Sequence, residues 1–384
     1  MDLGIQVSDL CRQMSYDVAI IGGGLAGLAL ANDLAIRGRR VIVFEKGEYP
    51  RHKVCGEYIS MESHEYLLQL CPQIGLLNLP AIKNFLLTST GRSEYKTRLD
   101  LGGFGISRYL LEKLLYKKAE EAGVQIVLNT KVSEVITSSE NEKLVRTTSG
   151  NYIARLVCNA SGRKSNFEAK ENVRKHNRIN YVGVKYHIKT ERDPEQIEIH
   201  NFPGGYCGVS DIEDGKSCLC YIVNSEKLIQ AGNSIPEMEK MFLFRNESLR
   251  KIFDSSSFLF KTPVTISGIN FNIKQSVNDG IFYLGDSAGS ISPITGNGMS
   301  MALRSSFILA GEMEKFFSGN LTIGELNSNY RKFWSNEFEN RIKFSRYLQK
   351  LSEFPVLTKG VIALFRNSSL LANKVISTTH GKPF

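Results

Sequence analysis

The sequence predicts an α/β protein in which a parallel nucleotide-binding sheet is assembled from separated segments, an antiparallel sheet is inserted, and helices occupy the C-terminal end. Three observations predict it. Residues 16–45 run from a buried apolar stretch through glycines and a helical pattern into a second apolar stretch, the strand, helix, strand unit of a parallel sheet. Residues 178–225 hold several short strand-like runs separated by turn residues (FPGGY, EDGK), as an antiparallel sheet requires. After about residue 316 the pattern is helical throughout.

Each element has its own reason. The run 16–22 (YDVAIIG) is continuous and β-branched, as a strand buried on both faces must be. In 25–38 (LAGLALANDLAIRG) apolar residues recur at helical spacing and stop at Gly38, a residue suited to a helix end. Residues 40–45 (RVIVFE) form the second buried strand. The runs 83–90 and 93–99 alternate as strands of a small antiparallel sheet, and 107–122 is an amphipathic helix opened by Ser107 and closed by Gly123. Strands return at 124–129 and 152–160, and 281–286 (IFYLGD) is a buried strand leading through a loop to a helix from about Gly298. The nucleotide domain is therefore expected in segments 1–80, 101–170 and 263–315. The antiparallel domain takes 81–100 and 171–262, and the helical region 316–384.

Composition narrows the class. With 384 residues, 42% apolar and 23% charged, the chain has ample core and is not disordered. No apolar stretch reaches the ~20 residues that cross a bilayer, and residues 1–15 lack signal-peptide features, so a cytoplasmic protein is expected. Seven cysteines (11, 55, 71, 158, 207, 218, 220), an odd number without a C-x-x-C pair, predict reduced thiols and no metal site. Cys218 and Cys220 should share one face of a strand. The six histidines form no nucleophile pairing and are expected to be structural or exposed. Basic residues exceed acidic ones by 48 to 39, and from Arg331 to Phe384 ten are basic and three acidic. Such a tail suits a peripheral contact with an anionic membrane or an acidic carrier protein; the plainer reading is a helix packed as core or solvated. Nothing points to nucleic acid.

The chemistry is carried by two motifs. Gly22-Gly23-Gly24-Leu25-Ala26-Gly27 is a G-x-G-x-x-G between strand and helix, with Glu45-Lys46 at the end of the next strand. Gly22 permits the tight turn, Gly24 lets a pyrophosphate reach the backbone, Gly27 lets helix pack on strand, and Glu45 suits ribose hydroxyls. The helix start through Leu25 and Ala26 offers free N–H groups. Far downstream, Gly285-Asp286-Ser287-Ala288-Gly289 and Thr295-Gly296-Asn297-Gly298-Met299 deliver an aspartate and a second glycine-rich helix start. An NAD enzyme has no use for that element, whereas FAD has ribityl hydroxyls for an aspartate and ring atoms for backbone N–H groups. The pairing selects FAD, in a Rossmann-like FAD-binding domain with an inserted antiparallel-sheet substrate domain and a helical C-terminal tail.

Together with Arg51-His52-Lys53-Val54-Cys55-Gly56-Glu57 and Ala160-Ser161-Gly162-Arg163-Lys164-Ser165, these segments resemble the geranylgeranyl reductase family, within the p-hydroxybenzoate hydroxylase-like FAD enzymes. The resemblance implies that Gly22, Gly24, Gly27 and Glu45 hold the AMP half of FAD, that Arg108 contacts the cofactor, and that Asp286 takes the ribityl chain. It also implies backbone contact from Gly296 and Gly298 near the ring, and a Cys55-Gly56 loop beside it. This chain departs in two places. Glu57 and Tyr58 stand where the reductases have further glycines, and Gly205-Tyr206-Cys207-Gly208-Val209 stands where they carry Tyr-x-Trp-x-Phe-Pro.

The expected activity is transfer of electrons from NAD(P)H through FAD to a double bond in an apolar or carrier-bound substrate. Cys55 and Glu57 are the candidate catalytic acids. Glu57 is favoured on the expectation that burial raises its pKa, the alternative being a salt bridge to Arg51 or Lys53. A monooxygenase and a non-catalytic FAD-bound scaffold are the competing readings. A halogenase is set aside because its Trp-x-Trp-x-Ile-Pro signature is absent and the single tryptophan, Trp334, lies in the tail.

Overall fold

The computed structural model describes residues 15–139, 142–163 and 180–384. Cys11 and the Lys164-Ser165 end of the third resemblance segment lie outside these. Strand β1 (Tyr16–Ile21) leads through the glycines to helix α1 (Leu25–Ile36), and β2 (Val41–Phe44) pairs parallel to β1. A short strand β3 (Tyr58–Ser60) and helix α2 (His64–Leu70) precede the hairpin β4 (Ala81–Thr88) and β5 (Glu94–Gly105). Helix α3 (Arg108–Glu121) begins at Ser107, whose hydroxyl accepts the Leu110 N–H at 3.1 Å. Then come β6 (Gln125–Val127), the hairpin β7 (Val132–Ser139) and β8 (Glu142–Thr147), and β9 (Gly150–Asn159).

The antiparallel region contains β10 (Tyr181–Lys189), β11 (Gln196–Phe202), β12 (Gly205–Ile212) and β13 (Lys216–Asn224). Three short helices, α4 (Ser225–Gln230), α5 (Ile235–Met241) and α6 (Glu247–Ser255), follow, then β14 (Ser257–Phe258) and β15 (Val264–Ile269). The chain returns to the first sheet with β16 (Val277–Asn278) and β17 (Ile281–Tyr283) and continues into α7 (Gly298–Phe317). Helices α8 (Ile323–Trp334), α9 (Asn340–Ser352), α10 (Pro355–Asn367) and α11 (Ser369–Ser377) complete it, with a π-helical turn at Ser335–Glu339 between the first two.

Two sheets result. The first has the order β16-β17-β9-β1-β2-β6, parallel from β17 to β6, with β8 and β7 added antiparallel beside β9. The second runs β14-β10-β13-β12-β11-β4-β5-β3 with β15 also on β10, and only the β11–β4 pair is parallel. This is the expected α/β architecture, with three differences of membership. Tyr58–Ser60, residues 101–105 at the end of β5, and Val264–Ile269, all expected in nucleotide-domain segments, pair into the second sheet. The β7–β8 hairpin had no sequence signal because β7 is mostly exposed on both faces and shows no apolar run.

Alternation in β10 sets the site. Val182, Val184, Tyr186 and Ile188 point into one core, with Met238 of α5 and Leu249 of α6. Gly183, Lys185 and His187 therefore share the opposite face. Among the described residues all six cysteines are free.

Helices α8 and α9 are bound to the first sheet as core, while α10 and α11 pack on Tyr95 of β5 in the second sheet. Trp334 of α8 is 2% exposed and lies where a Cβ on Gly289 would meet its ring at 2.9 Å. The Tyr330 hydroxyl donates to Tyr283 O (2.8 Å), and Ser292 is held by Ser345 and Gln349 of α9 at 3.1 and 2.6 Å. Trp334→Ala should therefore destabilise the whole protein by about 3–5 kcal/mol, read as a lower denaturant midpoint in one shared transition. A tail that melts separately with an unchanged main transition would contradict this packing.

Candidate functional site

One cavity of about 1010 Å³ runs along the C-terminal ends of the first sheet, across the face of the second, and on to the C-terminal helices. Every site residue expected from sequence lines it except Gly27: Gly22, Gly24, Leu25, Ala26, Glu45, Lys46, Cys55, Glu57, Arg108, Gly285, Asp286, Gly296, Gly298 and Met299. Gly27 works from behind, since a Cβ there would run into Gly22 O and force the helix off the strand end.

The cradle suits a dinucleotide. Gly22 has φ 100 and a Cβ there would meet Ala160 O at 2.7 Å, so only glycine fits the turn. At Gly24 a Cβ would stand toward the cavity, with Lys53 Nζ at 3.6 Å as its nearest neighbour. Both α1 and α7 begin without a side-chain cap or an acidic residue in the first turn, which leaves their leading N–H groups for a ligand. Glu45, 3% exposed, accepts the Gly23 N–H at 2.9 Å and pairs with Arg51 at 2.8 Å, an arginine that a ribose would have to share. Asp286 is partly exposed, 3.9 Å from Arg163 Nε. The residues present thus fit FAD, with α1 and Lys53 at the pyrophosphate and Asp286 with α7 at the ribityl and ring end.

Beneath the cradle lies a charge network that sequence did not reveal. Glu112, fully buried, pairs with Lys53 (2.9 Å) and with Arg108. Burial pushes the Lys53 ammonium below its ordinary value, and Glu112 draws it back in part. The two cations leave net positive charge at the place an anionic pyrophosphate would occupy.

Glu57 is fully buried. Its Oε1 accepts from Lys185 Nζ at 2.5 Å and from the Arg108 N–H at 2.8 Å, and its Oε2 lies 2.6 Å from His187 Nε2. Burial alone would push this carboxyl up, but the hydrogen bond from His187 and the charge of Lys185 outweigh it and hold the carboxyl below its ordinary value. The expectation of a raised pKa is corrected for that reason. The alternative is corrected as well, because Arg51 pairs with Glu45 and Lys53 with Glu112. Since an ionised carboxylate only accepts, Nε2 of His187 carries the proton, and this histidine is a partner of the site. The signal was present in YVGVKYHIK, where Lys185 and His187 fall two apart in an apolar strand. Cys218 Sγ joins Glu57 and His187 within 4.8 Å, a grouping of metal-ligand types not foreseen from spacing, but the Lys185 ammonium already occupies the carboxylate.

Glu57 also has φ 57, the left-handed region that glycine adopts freely. Strain of about 1–3 kcal/mol at such a residue persists only where surroundings over-determine it, and here the Lys185 ion pair, the His187 hydrogen bond and a helix N-terminus do so. Cys55 stands on the cavity wall with its Sγ accepting the Glu57 N–H at 3.5 Å, and Arg108 also reaches it.

Residues 15–202 match the model of a family described as FAD binding domain. The chain is 23% identical to conditioned medium factor receptor 1 of Dictyostelium discoideum over 96% of this chain and 77% of the relative. It is 23% identical to digeranylgeranylglycerophospholipid reductase 1 of Methanopyrus kandleri over 93% and 98%. Of solved structures, the flavin-dependent brominase Bmp2 superposes with a TM-score of 0.76 at 17% identity, covering 95% of this chain and 93% of that one. Fold, cradle and family match together define a flavoprotein of the FAD-dependent oxidoreductase class. Within that class the curated proteins it is similar to include digeranylgeranylglycerophospholipid reductases, at 23% identity.

Two outcomes follow. Gly24→Val places a side chain in the open cradle without touching core, so it should abolish most bound FAD, measured by release on denaturation, while circular dichroism is unchanged. Glu57→Gln should cost about 3–5 kcal/mol at neutral pH by leaving Lys185 unpaired, and Glu57→Gln with Lys185→Met should cost less than Glu57→Gln alone. The sign with pH follows from the lowered carboxyl. Its contribution is present above the unfolded value near 4.5 and lost as pH falls through the folded one, so the acid limb of stability should flatten in Glu57→Gln.

Proposed function

We propose that the protein is an FAD-dependent reductase that saturates a carbon–carbon double bond in an apolar, chain-like substrate, with NAD(P)H as electron donor. The observation that carries this reading is the cavity beyond Cys55, walled by Phe85, Leu87, Ile197, Ile199, Ile222 and Val361. Gly208 adds no side chain to the floor between Tyr206 and Ser210, where its nearest side chain is Ile199, 3.6 Å from where a Cβ would stand. The curated relative named for a digeranylgeranylglycerophospholipid supports a prenyl chain as the substrate class.

FAD held by α1, Lys53, Asp286 and α7 would supply hydride-transfer chemistry between NAD(P)H and one carbon of the double bond, and the protein must then deliver a proton to the other carbon. Glu57 cannot supply it, being held ionised by Lys185 and His187. Among the described residues Cys55 and Cys220 both line the cavity, and Cys55, on the loop that Glu57 fixes, takes the role of proton donor in this reading. Glu57 is then a positioning residue, fixing the turn that presents Cys55.

Cys55→Ala should slow substrate reduction by ~10²–10⁴-fold in anaerobic single turnover while flavin reduction by NAD(P)H stays within about twofold. Product formed only with oxygen would replace this reading with a monooxygenase. No product from any prenyl substrate under either gas would leave a non-catalytic flavoprotein.

A further inference from the structure

Helix α10 is apolar on two opposite sides. At about 100° per residue, Thr358, Ile362 and Phe365 fall on one seam and are buried, with Thr358, Val361 and Phe365 facing the cavity. Val356, Leu357, Gly360, Ala363 and Leu364 fall on the far arc and are all exposed, Val356 at 79% and Leu364 at 58%. A helix hydrophobic all round is ordinarily covered on all sides. In α11, next along the chain, Leu370 is 84% exposed. Charge in this stretch has one sign. From Pro355 to Phe384 there is no acidic side chain, and Lys359, Arg366, Lys374 and Lys382 are all exposed.

We infer that α10 and α11 dock the protein on an anionic phospholipid bilayer, with the apolar arc set into the interface and the basic residues against headgroups. This deepens the substrate reading above, on which it rests, by naming the source of the apolar chain. The cavity ends against the inner side of the same helix, so docking brings it up to the lipid phase. Two other occupants fit less well. A second copy would set lysines against lysines with no acid to meet them. An acidic carrier protein would satisfy the charges but leave the apolar arc in water. An interfacial helix needs both features together, an apolar face and a basic flank.

The test is flotation of the FAD-loaded protein with vesicles of equimolar phosphatidylglycerol and phosphatidylcholine, or of phosphatidylcholine alone, without turnover. Binding is expected to the anionic vesicles and to weaken steeply with salt. It should fall by at least about tenfold in Val356→Asp/Leu370→Asp and in Lys359→Glu/Lys374→Glu/Lys382→Glu, with FAD content and reduction of a soluble short prenyl alcohol unchanged. No binding to either vesicle, binding indifferent to both variants, or binding only to an acidic carrier protein would overturn the inference. Vesicle binding without any reduction of prenyl substrates would sink the proposed reaction and leave the docking surface standing.

Discussion

Glu57 joins parts of the molecule that the chain brings from far apart. Its carboxylate is reached by a lysine and a histidine on β10 of the second sheet and by the first N–H of α3, and its own backbone carries the turn that presents Cys55 to the cavity. A buried carboxylate without those partners would protonate or expel the turn, because the cost of leaving an ion unpaired in the interior exceeds what one turn can supply. The same three contacts hold a non-glycine residue at a positive φ. The departure from the glycines of the resembled family is therefore structural compensation, in which a side chain ties the loop down where glycine would have left it loose.

This constraint explains the division of labour around the cradle. Positive groups are distributed on two levels: Lys53 and Arg108 are balanced by Glu112 on the pyrophosphate side, and Lys185 is balanced by Glu57 beneath the turn. Only the first group faces an anionic ligand with charge to spare. The second is closed on itself, and holding Glu57 ionised removes it as an acid while leaving Cys55 exposed to the cavity.

The C-terminal helices serve two ends at once. Through Trp334, Tyr330 and Gln349 they complete the core of the first sheet, and through α10 they wall off the far end of the cavity that the second sheet floors. A basic charge count alone could not separate these roles, since helices packed as core and helices facing solvent are both consistent with it. Burial of one seam of α10 and exposure of the opposite one separate them.

The fold class, the cofactor and most residues of the cradle were legible in the sequence because they rest on local geometry. A tight glycine turn, an uncapped helix start and an aspartate after a buried strand are each encoded within a dozen residues. Glu45, Asp286 and the glycines could accordingly be named before any coordinates. The partners of Glu57 could not, because they stand 128 and 130 residues away and meet it only where the 53–57 loop lies across the face of β10, β13 and β12. Burial was foreseen for Glu57, but its consequence was reversed by charges that only tertiary structure supplies. The same holds for Arg51 and Lys53, whose carboxylate partners were decided by which helix and strand ends converge. Local sequence sets conformations; long-range packing decides which charges meet, and at this site the charges decide the chemistry.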